Sequence, residues 1–169
     1  MKIDLDSLGR EPHQFEAVFT DAEIAAESGT SFPNGVQVKG RIDKTEGRIV
    51  VSGTIAALVN VDCTRCLEPV ELDMDFPFSS VYVHTEDFAS DKENEISGED
   101  LDIDVLSGEK LDLAEVVREQ LLLEMPVQVF CSEDCNGLCE RCGANLNIAE
   151  CGCGEDDIDP RWAALKNLK

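Results

Sequence analysis

Eight cysteines are the residues of this sequence whose type and spacing could do chemistry. They form four close pairs: Cys63 and Cys66, Cys131 and Cys135, Cys139 and Cys142, and Cys151 and Cys153. Two pairs have the C-x-x-C spacing of a metal-binding knuckle, and Gly143 follows the second, where a positive backbone φ is needed. Because zinc prefers four thiolates in a tetrahedron, the sequence predicts two zinc sites, each with four cysteine ligands.

The four pairs can be combined into two sites in more than one way. In the grouping that we favour, the third and fourth pairs form a compact C-terminal ribbon. The first pair then reaches the second, which would pin the C-terminal tail to the rest of the chain. In the other grouping, the second and third pairs form one local site and the remaining two pairs meet or stay apart.

Other chemistry of the thiols fits the sequence less well. A thiol-exchange site needs a C-x-x-C that opens a helix within a βαβ unit, and neither pair has that setting. Four thiolates could also hold an iron–sulfur cluster, but glycine-containing knuckles favour zinc. A thiol-based redox or zinc-stress regulator, in which oxidation releases the metal, is the alternative function that the same residues allow.

The sequence gives little support for an enzyme. The two histidines, His13 and His84, are not near a candidate nucleophile, and the common metalloprotease, nucleotide-binding and hydrolase motifs are missing. A closed four-thiolate site also leaves no coordination position for a catalytic water. We therefore expect a protein without catalytic residues.

Alternating apolar residues predict the sheet that must position the first pair of cysteines. Residues 36–42 alternate with period two, and a turn follows at 45–47. Six later residues share one face: Ile49, Val51, Ile55, Ala57, Val59 and Val61. Residues 70–78 alternate again after the turn that carries the first pair. This pattern predicts an antiparallel β meander or partial barrel with one face in water.

The remaining segments complete an α+β fold. Asp112, with Glu115 three residues later, predicts the start of one amphipathic helix that Pro126 ends. Residues 1–34 are expected to be edge structure, and residues 85–104 an acidic, solvated loop with a short strand near 101–105. We thus expect a β-rich α+β domain over residues 1–130 and a cysteine-rich, zinc-ribbon-like tail over 131–169, docked on the sheet.

A short basic amphipathic helix is predicted at the C-terminal end. Asp159 is a good cap, and Pro160 suits the first helical position. Its apolar residues recur every three positions beside basic ones: Trp162, Leu165 and Leu168, with Arg161, Lys166 and Lys169. Such a short helix must pack on something, so it either docks on its own domain or is an exposed recognition element.

Composition and charge narrow the choice of partners. The chain has 169 residues, 36 Asp plus Glu against 14 Lys plus Arg, and a formal net charge of −22. This charge repels phosphate backbones and argues against direct binding to nucleic acid. Because the sequence contains no apolar run long enough for a signal peptide or a membrane span, we expect a cytoplasmic protein.

Four stretches resemble the YceD-like family of large ribosomal RNA subunit accumulation proteins. They are residues 61–70 (VDCTRCLEPV), 126–127 (PV), 135–146 (CNGLCERCGANL) and 159–168 (DPRWAALKNL). The resemblance implies a bacterial or organelle-derived factor that supports 23S ribosomal RNA levels and production of the large subunit, and it implies no catalytic residue.

The resemblance and the negative net charge together favour a function as an adaptor protein. An acidic protein is better suited to bind a basic ribosomal protein or large-subunit assembly factor than to bind RNA. We therefore expect a partner of that kind, steered by the acidic loop and by the acids near 155–159.

Overall fold

The computed structural model describes residues 1–9, 11–25, 30–45, 47–85 and 103–153. Within these residues, no helix is long and apolar enough to span a membrane. The elements, in chain order, are β1 (Lys2–Asp4), a 3₁₀-helix (Leu5–Ser7), β2 (His13–Phe19), α1 (Asp21–Ile24), β3 (Val36–Thr45), β4 (Arg48–Asp62), β5 (Pro69–His84), β6 (Ile103–Leu106), β7 (Lys110–Asp112) and α2 (Leu113–Glu124).

A five-stranded sheet in the order β2-β3-β4-β5-β6 forms the body of the fold. Strands β2 to β5 are antiparallel neighbours, and β4 pairs with β5 from Ile49 opposite Tyr82 to Asp62 opposite Pro69. Alternate residues of β4 are buried, as its period of two predicts, and Val51, Ile55 and Val59 have no exposed surface. The predicted meander is therefore confirmed for these strands, and β2 supplies the edge structure expected near the N-terminus.

The last strand departs from the predicted meander. The strand expected near residues 101–105 is present as β6, but β6 runs parallel to β5, with Val81 opposite Ile103. A parallel pair needs a connection of a dozen or more residues, and residues 85–102 are long enough for one. The sheet is consequently mixed, because a parallel strand, for which the sequence predicted no direction, extends the antiparallel strands at this edge.

A pair of facing glycines brings β3 and β4 close together. Gly40 lies opposite Gly53, and a Cβ atom added at Gly40 would clash with the Ser52 carbonyl oxygen and lie 2.7 Å from the Phe15 ring. Phe15 is buried and lies opposite Gly40 on β2. The aromatic ring therefore occupies the space that a side chain at residue 40 would fill.

Helix α2 supplies the apolar surface that joins the core of the sheet. The Asp112 side chain accepts a hydrogen bond from the Ala114 N–H at 3.1 Å, so the predicted cap is present. The buried residues of helix α2 belong to the same apolar cluster as the inner face of the sheet. They are Leu113, Val116, Val117 and Leu121. The short strands β1 and β7 pair beside the start of this helix.

Two predicted segments lie outside the described residues. They are residues 86–102, which hold most of the predicted acidic loop, and the predicted basic helix at 159–168.

Candidate metal centres

The first cluster consists of Cys63, Cys66, Cys131 and Cys135. Their four Sγ atoms lie within 4.8 Å of one another, with 3.9 Å between Cys63 and Cys135 and 3.5 Å between Cys66 and Cys131. Four sulfurs around one zinc ion at about 2.3 Å would lie about 3.8 Å apart. The distances in the first cluster therefore suit four ligands of a single tetrahedral ion.

The turn between β4 and β5 presents the first two of these thiols. The Cys63 N–H donates to the Glu68 carbonyl at 2.8 Å, and the Leu67 N–H donates to the Cys63 carbonyl at 2.9 Å. These two bonds close the turn from residue 63 to residue 68 at the end of the longest strand pair. The sheet thereby fixes both knuckle thiols on a rigid support.

Two segments of the later chain are bonded to this turn. The Thr64 N–H and hydroxyl both donate to the Val129 carbonyl, at 2.8 and 3.0 Å. The Leu138 N–H donates to the Arg65 carbonyl at 3.1 Å. Gly137 passes close by with φ 73°, where an added Cβ would lie 3.1 Å from the Arg65 oxygen. These contacts bring Cys131 and Cys135 to the knuckle.

Groups around the first cluster orient its sulfurs. The Cys131 N–H donates to Cys63 Sγ at 3.4 Å, and Asn147 Nδ2 donates to Cys135 Sγ at 3.3 Å. The Asn147 amide oxygen accepts in turn from the Asn136 N–H at 2.7 Å. Donors of this kind stabilise thiolates and position metal ligands.

Arg65 acts on the backbone of the first cluster. Its Nη1 donates to the Cys135 carbonyl at 3.0 Å, and its guanidinium carbon lies 4.2 Å from the centre of the Phe130 ring. Arg65 therefore joins Phe130, the residue before Cys131, to the backbone of Cys135.

The pKa values of the thiols in the first cluster differ widely from one another. Burial opposes ionisation of Cys63, but backbone hydrogen bonds from Arg65, Cys131 and Cys66 outweigh it and lower its pKa to about 6. A backbone hydrogen bond near Glu68 favours ionisation of Cys66, yet burial and the three neighbouring thiols raise its pKa to about 12. Crowded thiolates repel one another, so full ionisation of the set needs a nearby cation.

The second cluster consists of Cys139, Cys142, Cys151 and Cys153, whose Sγ atoms also lie within 4.8 Å of one another. The Gly143 N–H donates to the Cys139 carbonyl at 2.8 Å. Gly143 has φ 71°, the positive value that the knuckle spacing predicts. Backbone hydrogen bonds from residues 142 and 141 lower the pKa of Cys139 to about 6. Close contact with the Cys142 thiol raises the pKa of Cys153 to about 12.

The two clusters differ in burial. Three thiols of the first cluster are buried and only Cys131 is exposed, whereas none of the second is buried and Cys142 is exposed. All eight cysteines are free thiols. The sulfur separations of 3.9 Å between Cys63 and Cys135 and 3.5 Å between Cys66 and Cys131 are well above the roughly 2.05 Å of a disulfide.

The structure brings the predicted thiols together in the grouping that we favour. Each thiolate of a four-iron cluster binds a different iron, which holds the sulfurs farther apart than the ligands of one ion. Both clusters can therefore hold a single metal ion each, and their all-thiolate donor set suits zinc.

The sequence did not predict that Asn145 and Asn147 support the first cluster. Asn147 reaches Cys135 because residues 145–149 form a turn, in which the Asn147 N–H donates to the Asn145 side chain at 3.0 Å. The Asn145 amide also donates to the Glu68 carboxylate at 3.2 Å, across to the first knuckle. The only signal in the sequence was two asparagines, two residues apart, between the last cysteine pairs.

Comparisons with known proteins agree with these landmarks. The family model described as large ribosomal RNA subunit accumulation protein YceD matches residues 51–169, which include all eight cysteines. An uncharacterised protein of Mycobacterium tuberculosis (strain H37Rv) is 31% identical over 99% of this chain and 81% of its own length.

Two further relatives are more distant. The protein YlbN of Bacillus subtilis is 29% identical over 79% of this chain and 73% of its own length. A chloroplastic large ribosomal RNA subunit accumulation protein, YCED homolog 1 of Arabidopsis thaliana, is 26% identical over 82% of this chain and 50% of its own length. No solved structure matches this chain.

Proposed function

The chain belongs to the YceD family, and from this premise we propose that it is a non-enzymatic, zinc-binding factor that supports accumulation of 23S ribosomal RNA and production of the large subunit. The family match over residues 51–169 carries this proposal. The matched range contains the β4–β5 turn, helix α2 and both cysteine clusters. A plant relative with a matching name supports the same role.

The proposed role of the eight cysteines is structural. Zinc held by four thiolates supplies a closed cross-link that is itself redox-inert. The first cluster would join the β4–β5 turn to residues 131 and 135, which are more than 60 positions away in sequence. The second would close residues 139–153 on themselves. Together the two sets would fix the tail on the end of the sheet.

The charge of the chain favours a basic protein as its partner. The formal net charge is −22, and four thiolates around one dication add about two negative charges at each site. Such a surface attracts cationic proteins and repels RNA phosphates. We therefore propose that the protein acts as an acidic adaptor for a basic ribosomal protein or a large-subunit assembly factor.

Depletion of the protein from cells tests the proposed role. We expect the ratio of 23S to 16S ribosomal RNA to fall, and the tagged protein to sediment with large-subunit precursors on a gradient. Wild-type protein should restore the ratio, whereas Cys66→Ser should not, because it removes a buried ligand of the first cluster. An unchanged ratio, with the protein at the top of the gradient, would contradict the role.

A thiol-based regulator is the second candidate, and the exposure of Cys131 favours it. Its Sγ lies 3.5 Å from that of Cys66. Peroxide could take two electrons from this pair, which would form one S–S bond, release the metal and reduce the peroxide to water. Zinc release by one equivalent of peroxide, accompanied by an S–S bond between Cys66 and Cys131 in peptide mass spectrometry, would support this function. Zinc that stays bound under mild peroxide would argue against it.

A further inference from the structure

Helix α2 ends in apolar side chains that face water. Leu122 is 50% exposed, Leu123 is 78% exposed and Val127, just beyond the helix, is 93% exposed. The core does not need them, because four other residues of the helix form its buried side. A surface helix ordinarily carries polar residues on the side away from the core. We call these three residues the α2 apolar surface.

The three residues belong to one continuous stretch of surface. Leu122 and Leu123 are neighbours on the last turn of the helix, which the Met125 N–H closes by donating to the Leu121 carbonyl at 2.9 Å. Leu122 also lines a small groove together with Met125. Val127 follows Met125 by two residues, so their Cα atoms are at most about 7 Å apart. Exposed apolar groups that gather in this way mark interaction sites more often than scattered ones do.

The support beneath the α2 apolar surface is fixed. Arg118 Nη2 donates to the Glu23 carbonyl at 2.6 Å, and Arg118 Nε donates to the Ile24 carbonyl at 3.3 Å. Gln120 Nε2 donates to the Ser80 hydroxyl at 3.2 Å. These bonds join α2 to α1 and to β5. A surface that is already ordered costs less free energy to bind than one that must first become ordered.

A cavity of about 490 Å³ lies beside α2, one turn before the α2 apolar surface. Three exposed carboxylates line it: Asp104 of β6, and Glu115 and Glu119 of α2. Glu119 precedes Leu122 and Leu123 by three and four residues, and residues with these spacings are neighbours on a helix surface. The acidic cavity and the α2 apolar surface are therefore adjacent.

Carboxylates outnumber cations in the acidic cavity. Its lining also includes Lys2, Asp112 and Lys110, but Lys2 Nζ lies 3.8 Å from an Asp112 oxygen and is thus already paired. Burial raises the pKa of Glu119, the other two exposed carboxylates raise it further, and Arg118 offsets this only in part. Because these carboxylates repel one another, a cation that enters the cavity would be stabilised.

The lining of the acidic cavity suits a lysine or arginine side chain. The buried Tyr82 and the partly exposed Val105 lie in the same wall as the carboxylates. A lysine or arginine has an aliphatic stem and a cationic head, which match these two kinds of lining. The phosphates of RNA would be repelled by the carboxylates, and a second copy of this acidic chain would bring like charges together.

We propose that the α2 apolar surface and the acidic cavity together form the docking surface for a basic protein. The partner presents an amphipathic segment, whose apolar side chains cover Leu122, Leu123 and Val127 while a lysine or arginine enters the cavity. The inference rests on the proposed adaptor function, and it assigns the place on the chain where the basic partner binds.

Photo-cross-linking in cells tests this surface in the full-length protein. An apolar photoreactive amino acid replaces Leu123 or, as the matched control, Val18, which is 65% exposed on strand β2. We expect position 123 to cross-link to a protein of basic isoelectric point, which mass spectrometry identifies, and position 18 not to do so.

Binding of the identified protein, once purified, to the zinc-loaded chain measures the contribution of each part of the surface. Leu123→Ser should raise the Kd at least tenfold, because it removes an apolar contact without disturbing the core. Glu119→Gln should also raise the Kd and should weaken its dependence on salt, because a charge pair that salt screens is lost. Val18→Ser should change neither quantity. Circular dichroism and zinc content verify that each variant is folded.

Several results would overturn the proposal. Position 123 could fail to cross-link, or could cross-link only to RNA, to a second copy or within its own chain. The Kd of the identified protein could also be unchanged in Leu123→Ser.

The ratio of 23S to 16S ribosomal RNA separates this inference from the ribosomal role. If depletion lowers the ratio and Leu123→Ser restores it fully, the role stands and the docking surface is wrong. If depletion leaves the ratio unchanged while a basic protein binds at position 123, the docking surface stands and the ribosomal role is wrong.

Discussion

Removal of the metal should release the tail and leave the sheet folded. The large apolar cluster that joins the sheet to helix α2 contains none of the eight cysteines. A separate small cluster contains only Cys63, Cys66 and Cys135, with Val70 and Leu138 packed against it. The tail is thus attached to the body chiefly through its thiols.

The free energies of hydrogen bonding, chain ordering and zinc binding support release of the tail without unfolding of the sheet. Among the described residues, three hydrogen bonds without sulfur join the tail to the first knuckle: Leu138 to Arg65, Arg65 to Cys135 and Asn145 to Glu68. At about 1 kcal/mol each they contribute about 3 kcal/mol. Ordering the roughly 20 residues from 131 to 153 costs on the order of 20 kcal/mol or more. Two structural zinc ions, at about 10–16 kcal/mol each, would offset that cost.

Amide hydrogen exchange with mass spectrometry measures the effect directly. The zinc-loaded protein, kept reduced, is compared with the same protein after treatment with a strong chelator. We expect residues 131–153 to lose their protection, while β3, β4 and β5 keep theirs except at the 63–68 turn. Addition of zinc should restore the protection, which controls for irreversible damage.

Two outcomes would refute this reasoning. Protection of residues 131–153 that survives complete metal removal would show that packing and hydrogen bonds alone hold the tail. Loss of protection throughout β3, β4 and β5 would show that the sheet core is not independent of the clusters.

Three substitutions test other parts of the structure. Asn147→Ala removes the donor to Cys135 and should lower zinc affinity of the first cluster about 10–100-fold in chelator competition, whereas Asn136→Ala, which keeps its backbone donor, should not. Gly40→Ala should lower the free energy of unfolding in urea by about 2 kcal/mol, because the new Cβ meets the Ser52 carbonyl and the Phe15 ring. Gly9→Ala, whose new Cβ would come no closer than 4.0 Å to the Glu11 nitrogen, should change it little. Asp112→Ala should cost about 1 kcal/mol through the lost helix cap, and Asp112→Asn should keep most of it.

Local patterns predicted the central part of the fold. The long alternations of β4 and β5 and the cap at Asp112 depend only on residues near in sequence, and the structure contains them. The direction of β6 depends on a partner some 20 residues away and on the path between them. Strand β2 does alternate at Phe15, Ala17 and Phe19, but the signal is short and lies on an edge.

The grouping of the thiols was predictable from the sequence, but the residues that surround them were not. Cysteine spacing reveals four pairs because each knuckle is local, and the count allows two tetrahedral sites. The role of Asn147 depends on a turn that carries its amide across to another segment. Such features arise from three-dimensional contacts that spacing does not encode.

The metal content of the purified, reduced protein tests the central claim most directly. Native mass spectrometry should show two zinc ions per chain, colourless protein, and one ion fewer in Cys63→Ser and in Cys142→Ser. Protein that binds no zinc with all eight thiols reduced, or that instead carries a coloured iron cluster, would contradict the account.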